Sequence, residues 1–545
     1  MDINAPGHGN AAELAELTGA AAGPRGRRGN PTLTLLTVAV GVMMVALDGT
    51  IVAVANPAIQ ASLHANLADL QWITNAYLLG IAVTLITIGK IGDRFGHKKV
   101  FMTGVVGFAT TSAVIGLSGA IWKDISLIIV FRAVQGVFAA MLQPTALALL
   151  REAYPAEKLN RAIGYWAAVL GASTAAGPIV GGLLVQHINW ESCFYVNVPV
   201  GVAAFILSAV ALRETPTSPA ASSFDFPGIA ALTAGLFLLV WALIKAPGYG
   251  WGSAATLACF AAAVILLALF AVRQSRAKQP LLPLELFRSV PLSAGIVLVL
   301  LLMFGMFAVL FLMTLYLENV HGLGPVATGV RLLPMTVMMA VGPPLSGRLI
   351  TRLGPCIPMV AGMLLAAVAL FGLSRLGPDS GSSATFAWFV LLGLGLSPVI
   401  VGATDVIVGT VPHELNGVAS GLQATAFQVG GTIGTAVLGA VVSGRISGLL
   451  PANWHAAGLP ALSPPQLAAA KTAVSVGLAP ATSDTPPKTA SVIVHVSQAT
   501  FVSAMDTAFL VSAIAALIGA VFALATRGSK PAADETTVRS HFPSR

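Results

Sequence analysis

The sequence predicts an all-α polytopic membrane protein with fourteen transmembrane helices. Two six-helix halves, 33–212 and 291–526, flank two inserted helices in 227–273. Three observations predict it. First, 545 residues that are 56% hydrophobic and 9% charged, with mean hydropathy +0.85, carry more apolar surface than a soluble fold can hide, whereas a bilayer accepts it. Second, apolar runs recur between charged or Pro/Gly-rich breaks at the length a membrane helix needs. Third, the pattern G-[KR]-x-x-x-R-x-G occurs at Gly89 to Gly96, after the second span, and again at Gly347 to Gly354, after the tenth. That offset of eight spans is what two related halves with an inserted pair produce, an architecture of transporters that alternate access around a midplane cavity.

Each span is justified by its run and its boundary. The first, 33–54, follows Arg27 and Arg28 and holds one acid, Asp48; the second, 71–89, stops at Lys90. The third, 100–118, lies between Lys99 and Lys123, and the fourth, 125–150, contains Arg132 and ends at Arg151. The fifth, 161–185, is rich in small residues, and the sixth, 194–212, ends at Arg213. The inserted seventh and eighth, 227–245 and 253–273, end at Lys245 and Arg273. The ninth, 291–317, follows Arg288; the tenth, 324–346, ends before Arg348; the eleventh, 356–374, before Arg375. The last three are 385–410, 417–443 and 501–526. The loop 444–500 is Pro/Ala-rich and nearly uncharged, with a short helix expected from Pro464 to Val476.

Lys and Arg decide the orientation, because cytoplasmic loops concentrate them. Twenty-one of the 29 fall on the side that holds both termini; six, Lys123, Lys245, Arg375, Arg445, Lys471 and Lys488, fall on the other, and Arg132 and Arg331 lie inside spans. Both termini are therefore expected in the cytoplasm, with 444–500 outside. Residues 1–32 read as a disordered cytoplasmic tail and 527–545 as a C-terminal cytoplasmic tail. The first apolar run is too long for a cleaved signal, carries Asp48 and is followed by further spans. The net charge of +8 reports this topology, since no basic stripe or soluble domain suits nucleic acid. Cys193, Cys259 and Cys356 lie far apart, so neither a disulfide framework nor a metal site is expected.

Gly89 to Lys99 is the most specific motif. Gly89 and Gly96 permit a tight turn, Asp93 can accept from helix N-termini or Arg side chains, and Arg94 faces the anionic inner leaflet, so the loop reads as a cytoplasmic gate. In the fifth span Gly171, Gly177, Gly181 and Gly182 allow close helix contact and Pro178 removes a backbone bond. The gate motif resembles the signature loop of the major facilitator superfamily, and the fifth-span motif resembles the signature of its antiporters. With fourteen spans, the resemblance implies the drug:proton antiporter branch. Trp72 with Tyr77, and Phe194 to Pro199, resemble further motifs of that branch, although Trp190 is followed by Glu191, Ser192 and Cys193 where the family shows basic and aromatic residues.

Charges inside spans are functional by default. Asp48 and Arg132 both fall in the outer part of the membrane. A dry site favours a neutral carboxyl and a nearby guanidinium favours the anion, so a pair that forms and breaks would couple protonation to transport. The competing reading is a static ion pair that holds the first half together. Arg331 and Asp405 lie toward opposite faces and should not pair; Asp405 fits either a second ionisable or substrate-facing site or an interface residue. Tyr77, Gln135, Trp166 and Gln423 are candidate cavity residues, while Phe and Met along the ninth and tenth helices read as plain core.

The expected function is proton-driven efflux of drugs, antibiotics or similar amphipathic compounds, cationic or polyketide-like, across a bacterial cytoplasmic membrane. The alternative is an exporter dedicated to one metabolite or self-made antibiotic. A membrane enzyme or sensor has little support, since there is no phosphate loop, G-x-S-x-G or H-E-x-x-H. No cofactor is expected; the proton gradient supplies the energy. The expected partners are a small-molecule substrate and membrane lipid, with no nucleic acid and no ATPase subunit, and no pattern forces an oligomer.

Overall fold

In hydrocarbon the backbone must satisfy its own hydrogen bonds, which a helix does within one segment. A computed structural model describes residues 30–214, 225–277, 280, 284–411, 416–481 and 485–527, and every regular element among them is helical. Fourteen long helices follow one another: α1 (Pro31–Leu63), α2 (Leu67–Phe95), α3 (His97–Leu117), α4 (Ile125–Ala153), α5 (Ala156–His187), α6 (Asn197–Ala211), α7 (Phe226–Tyr249), α8 (Ala254–Arg276), α9 (Val290–Leu315), α10 (Pro325–Leu353), α11 (Cys356–Leu373), α12 (Ser382–Gly409), α13 (Asn416–Ala456) and α14 (Pro487–Leu524). Among the described residues thirteen of these are long and apolar enough to cross a membrane; the remaining helix, α2, is 29 residues long.

Capping chemistry sets several starts. The Asn30 side chain accepts from the amides of Thr32 and Leu33 with Pro31 in the first turn, Asn66 and Asp69 form a reciprocal box at α2, and Asp124 caps α4. The α4 helix is interrupted at Met141, three residues before Pro144, which can neither donate to Ala140 nor pack against it without strain.

Packing repeats with an offset of eight helices. Within the first half α1 packs on α5 and α6, α2 on α4, and α3 on α4 and α6; in the second half α9 packs on α13 and α14, α10 on α12, and α11 on α12 and α14. The halves meet through α2 on α13 and α5 on α10, and the inserted α7, paired with α8, lies against α2 and α13. The two halves are therefore copies of one packing scheme, as the repeated motif predicts.

Two sequence expectations change. The gate motif is not a loop from Gly89 onward: α2 continues through Phe95, and only Gly96, at φ 94°, makes the turn into α3. Polar residues end a hydropathy run, but a helix whose bonds are already propagating continues into water. The same reason shortens the 444–500 loop, since α13 runs to Ala456 and α14 begins at Pro487. Between them lies the expected short helix, Pro464–Ser475. Both tails, before residue 30 and after 527, lie outside the described residues, as does the side chain of Asp93.

Candidate functional site

Four helices of the first half deliver polar groups to one dry point. Asp48 of α1 and Arg132 of α4 are 0% and 1% exposed, and Arg132 Nη1 donates to Asp48 Oδ2 at 2.5 Å. Gln135, one turn along α4, donates to Asp48 Oδ1 at 3.3 Å, and Asn197 at the start of α6 donates to the same oxygen at 3.1 Å. Ser112 of α3 accepts from Gln135 at 2.5 Å and from Asn197 at 3.1 Å. Arg132 also donates from Nε to the Ile73 carbonyl of α2 at 3.1 Å and from Nη1 to Gln135 Oε1 at 2.6 Å. Its guanidinium lies 4.1 Å from the centre of the Tyr77 ring and 5.8 Å from that of Phe194, and Tyr77 in turn donates to the Val45 carbonyl at 3.3 Å.

The spacing explains the convergence. Arg132 and Gln135 are three apart and share a face of α4. An isolated charge in this environment would cost several kcal/mol; a pair with several further hydrogen bonds offsets much of that. The arrangement can hold a neutral ion pair, or, if the helices separate, leave a carboxylate that favours a proton over a dry negative charge.

In front of the pair lies a small cavity between the halves. Gly49, Val52, Ala53 and Asn56 of α1, Thr74, Tyr77 and Leu78 of α2, Arg132, and Phe307, Leu310 and Phe311 of α9 line it. Of the residues expected to face a cavity, Tyr77 does so, and Gln135 belongs to the polar cluster behind it. Trp166, Arg331, Asp405 and Gln423 are not in its wall; Gln423 instead donates to Thr404 at 2.6 Å. Arg331 and Asp405 form no ion pair among the described residues, as their opposite ends of the membrane require. Asp506 sits midway along α14, with one carboxylate oxygen buried and unpartnered. Ser112 had no signal beyond a hydroxyl in an apolar run, and Phe307 and Phe311 carry nothing that distinguishes them from core.

The glycine face of α5 forms the contacts its pattern suggests. A Cβ on Gly177 would stand 1.9 Å from Thr50 Oγ1, and one on Gly181 2.9 Å from Ile51, both on α1. On the far side a Cβ on Gly182 would stand 2.5 Å from the Pro325 carbonyl oxygen, and one on Gly329 of α10 would stand 2.2 Å from the Pro178 carbonyl oxygen. The contact loosens at Gly171, where the nearest atom of α10, Ala340 Cα, is 3.8 Å away. The described hydrogen bonds between the halves follow the same gradient. Gln71 donates to the Thr435 carbonyl at 2.6 Å, the Thr435 hydroxyl donates to Asn75, Gln186 accepts from the Val326 amide at 3.3 Å, and Thr336 donates to the Ala175 carbonyl at 3.4 Å. All lie from mid-membrane to the end away from the chain termini, so the halves are joined at that end.

A family profile described as Major Facilitator Superfamily matches residues 38–435. The chain is 55% identical over 506 residues, 93% of each protein, to the tetracenomycin C resistance and export protein of Streptomyces glaucescens. It is 34% identical over 419 residues, 77% of each protein, to the multidrug resistance protein Stp of Mycobacterium tuberculosis strain CDC 1551 / Oshkosh. Among solved structures it is similar in fold, at 17% identity and TM-score 0.60, to a bacterial homolog of the human lysosomal transporter Spinster in an inward-facing, unoccupied conformation, covering 92% of this chain and 98% of that one. With its repeated halves, a family profile that spans most of its length and relatives named as resistance and export proteins, the chain belongs to the Major Facilitator Superfamily, as a membrane transporter and not an enzyme.

Proposed function

We propose that this transporter is a proton-coupled antiporter that exports drugs, antibiotics or similar amphipathic small molecules across the bacterial cytoplasmic membrane, with both termini in the cytoplasm. The observation that carries the reading is the buried Asp48–Arg132 pair set behind a cavity at the junction of the two halves. Substrate entering that cavity separates α1 from α4 or lets them close, and the carboxylate gains or loses its guanidinium with that motion. Proton uptake from outside favours one state and substrate the other, so each turn of the cycle moves a compound out as a proton moves in. Gly89, Asp93, Arg94 and Gly96 hold the cytoplasmic gate, and the α5 glycines carry the sliding contact with α1 and α10. The halves are joined at the end away from the termini, which supports a cycle in which the opposite, cytoplasmic side opens to admit substrate.

The likeness to the tetracenomycin C resistance and export protein favours the narrower alternative, an exporter dedicated to one self-made antibiotic. Both readings share one test. In proteoliposomes with an imposed pH gradient, Asp48→Asn should bind substrate and fail to transport it. Wild-type gradient-driven flux by that variant would reject Asp48 as the coupling group and move the search to Asp405.

A further inference from the structure

At the outer end of the second half α9 widens into one π-turn, Tyr316–Val320, a local insertion that redirects side chains and recurs at functional sites. The turn holds Glu318, an acid that the transport cycle above leaves unused. Glu318 Oε1 is buried without a hydrogen-bond partner, and so is the hydroxyl of Thr328, which stands beside it on α10. Glu318 forms no ion pair among the described residues. The other charges of this region act elsewhere: Arg331 of α10 and Asp379 of the α11–α12 loop on His321, and Asp379 and Asp506 of α14 on Tyr316. His321 packs edge-on against Tyr316, with 4.6 Å between ring centres. Burial and Arg331 hold it below its ordinary value, so at neutral pH it lends Glu318 no cation. The external segment covers the turn with neutral amides: Asn319 donates to the Val476 carbonyl at 2.6 Å, and Gln498 of α14 to the Val320 carbonyl at 2.9 Å. Thr328, 0% exposed, belongs to the seam between the halves. Pro325, Val326 and Gly329 on either side of it all meet α5. A carboxylate here would be a buried charge without a cation, facing a hydroxyl without a partner. One added proton satisfies both, since the acid O–H donates and Thr328 Oγ1 accepts.

We propose that Glu318 is a proton-binding site, separate from the Asp48–Arg132 pair, that locks the outer seam between the halves. The protonated acid donates to Thr328 and fixes the first turn of α10 where it meets α5. Opening of the seam wets the carboxyl, which then returns its proton to the outside. The sidedness rests on the export reading. The joined state binds one proton more than the open state, so external acid favours joining and external alkali favours opening. Because this proton enters and leaves on one side, the site regulates the cycle and does not drive it.

The test follows the seam by pulsed electron paramagnetic resonance between spin labels on Ile188→Cys, at the end of α5, and Lys488→Cys, at the start of α14, both exposed positions. The full-length protein, with its three native cysteines replaced, is reconstituted in nanodiscs. Lowering the pH should shift the labelled parent toward the joined distance, by up to about tenfold in the joined-to-open ratio per pH unit, the limit for a single proton. Glu318→Gln, whose amide donates to Thr328 without binding a proton, should stay joined from acid to alkaline pH. Thr328→Val should move the midpoint to lower pH, and His321→Gln should leave it in place. Infrared difference spectra should show a protonated carboxyl band that titrates with the distance and is missing from Glu318→Gln. A parent distance that ignores pH, a seam that opens in acid, or a Glu318→Gln protein that titrates like its parent would overturn the proposal. So would a carboxyl band out of step with the distance, an unmoved midpoint in Thr328→Val, or a response lost in His321→Gln. The response should persist in an Asp48→Asn background; if it vanishes there it belongs to Asp48, and the Glu318 site falls. If it persists while Asp48→Asn carries gradient-driven flux at the wild-type rate, the coupling role of Asp48 falls and the Glu318 site stands.

Discussion

At Asp48 the protein accepts a large desolvation cost to keep two charges inside the membrane, and three donors share the load. Removing one partner strands the other. Asp48→Leu leaves the Arg132 guanidinium buried without its acid, and Arg132→Met leaves the carboxylate without its cation; each should cost about 3–5 kcal/mol. The pair replaced together leaves no stranded charge, so the double variant should unfold in detergent at a higher temperature than either single one. Losses that simply add would show that the two residues are not energetically coupled, and the coupling mechanism built on them would fall. The acid and the base were legible in the sequence because a charge in an apolar run is conspicuous. Ser112 and Asn197, which complete the cluster, were not, because a hydroxyl or an amide in a membrane helix is common and its partners come from helices remote in the chain.

The fifth helix shows how a local pattern becomes a contact. Its glycines were read as packing residues, and Gly177, Gly181 and Gly182 each stand where a side chain would collide with a named neighbour. Gly177→Leu would drive its side chain into Thr50, which also donates to the Thr174 carbonyl of α5 at 3.3 Å. That variant should insert and fold but transport at a small fraction of the wild-type rate in the pH-gradient assay; undiminished flux would separate the glycine face from the transport cycle. The inserted hairpin has its own fastening. Asp225 at the start of α7 accepts from Arg273, from Gln274 at 2.7 Å and from the Gly228 amide at 2.9 Å, tying the start of α7 to the end of α8. Burial pushes the Asp225 carboxyl upward, but these bonds, led by Arg273, outweigh it and hold the group below its ordinary value. A carboxyl lowered on folding adds stability above its unfolded pKa and loses it as pH falls through the folded one. Asp225→Asn should therefore lower the unfolding temperature slightly at neutral pH, since the pair is half open to solvent and worth under about 1 kcal/mol. The difference from wild type should vanish in acid below the carboxylate range. A difference that persists there would show that the clasp does not act through its charge.

For the whole molecule, the joined end of the halves lies away from the chain termini, so which compartment the opposite end faces depends on sidedness. Once Cys193, Cys259 and Cys356 are replaced, single cysteines at Lys99 and Thr472 should react oppositely with an impermeant thiol reagent on intact cells, Thr472 labelled and Lys99 protected. Labelling of both would overturn the charge-based orientation and with it the reading that the cytoplasmic side opens to admit substrate. The sequence by itself determined the membrane class, the span count and the duplication, because hydrophobic length, Lys/Arg placement and a repeated motif are properties of neighbouring residues. Helix ends were less legible, as at Gly96 and in 444–500, because hydropathy marks where the membrane stops and not where backbone hydrogen bonding stops. Only the tertiary structure decided that Asp48 and Arg132 meet Ser112, Gln135 and Asn197, and that Asn56 shares the wall of a small cavity with Phe307 and Phe311. Those relations join helices far apart in the chain, and the helix packing that brings them together leaves no periodicity in any one segment.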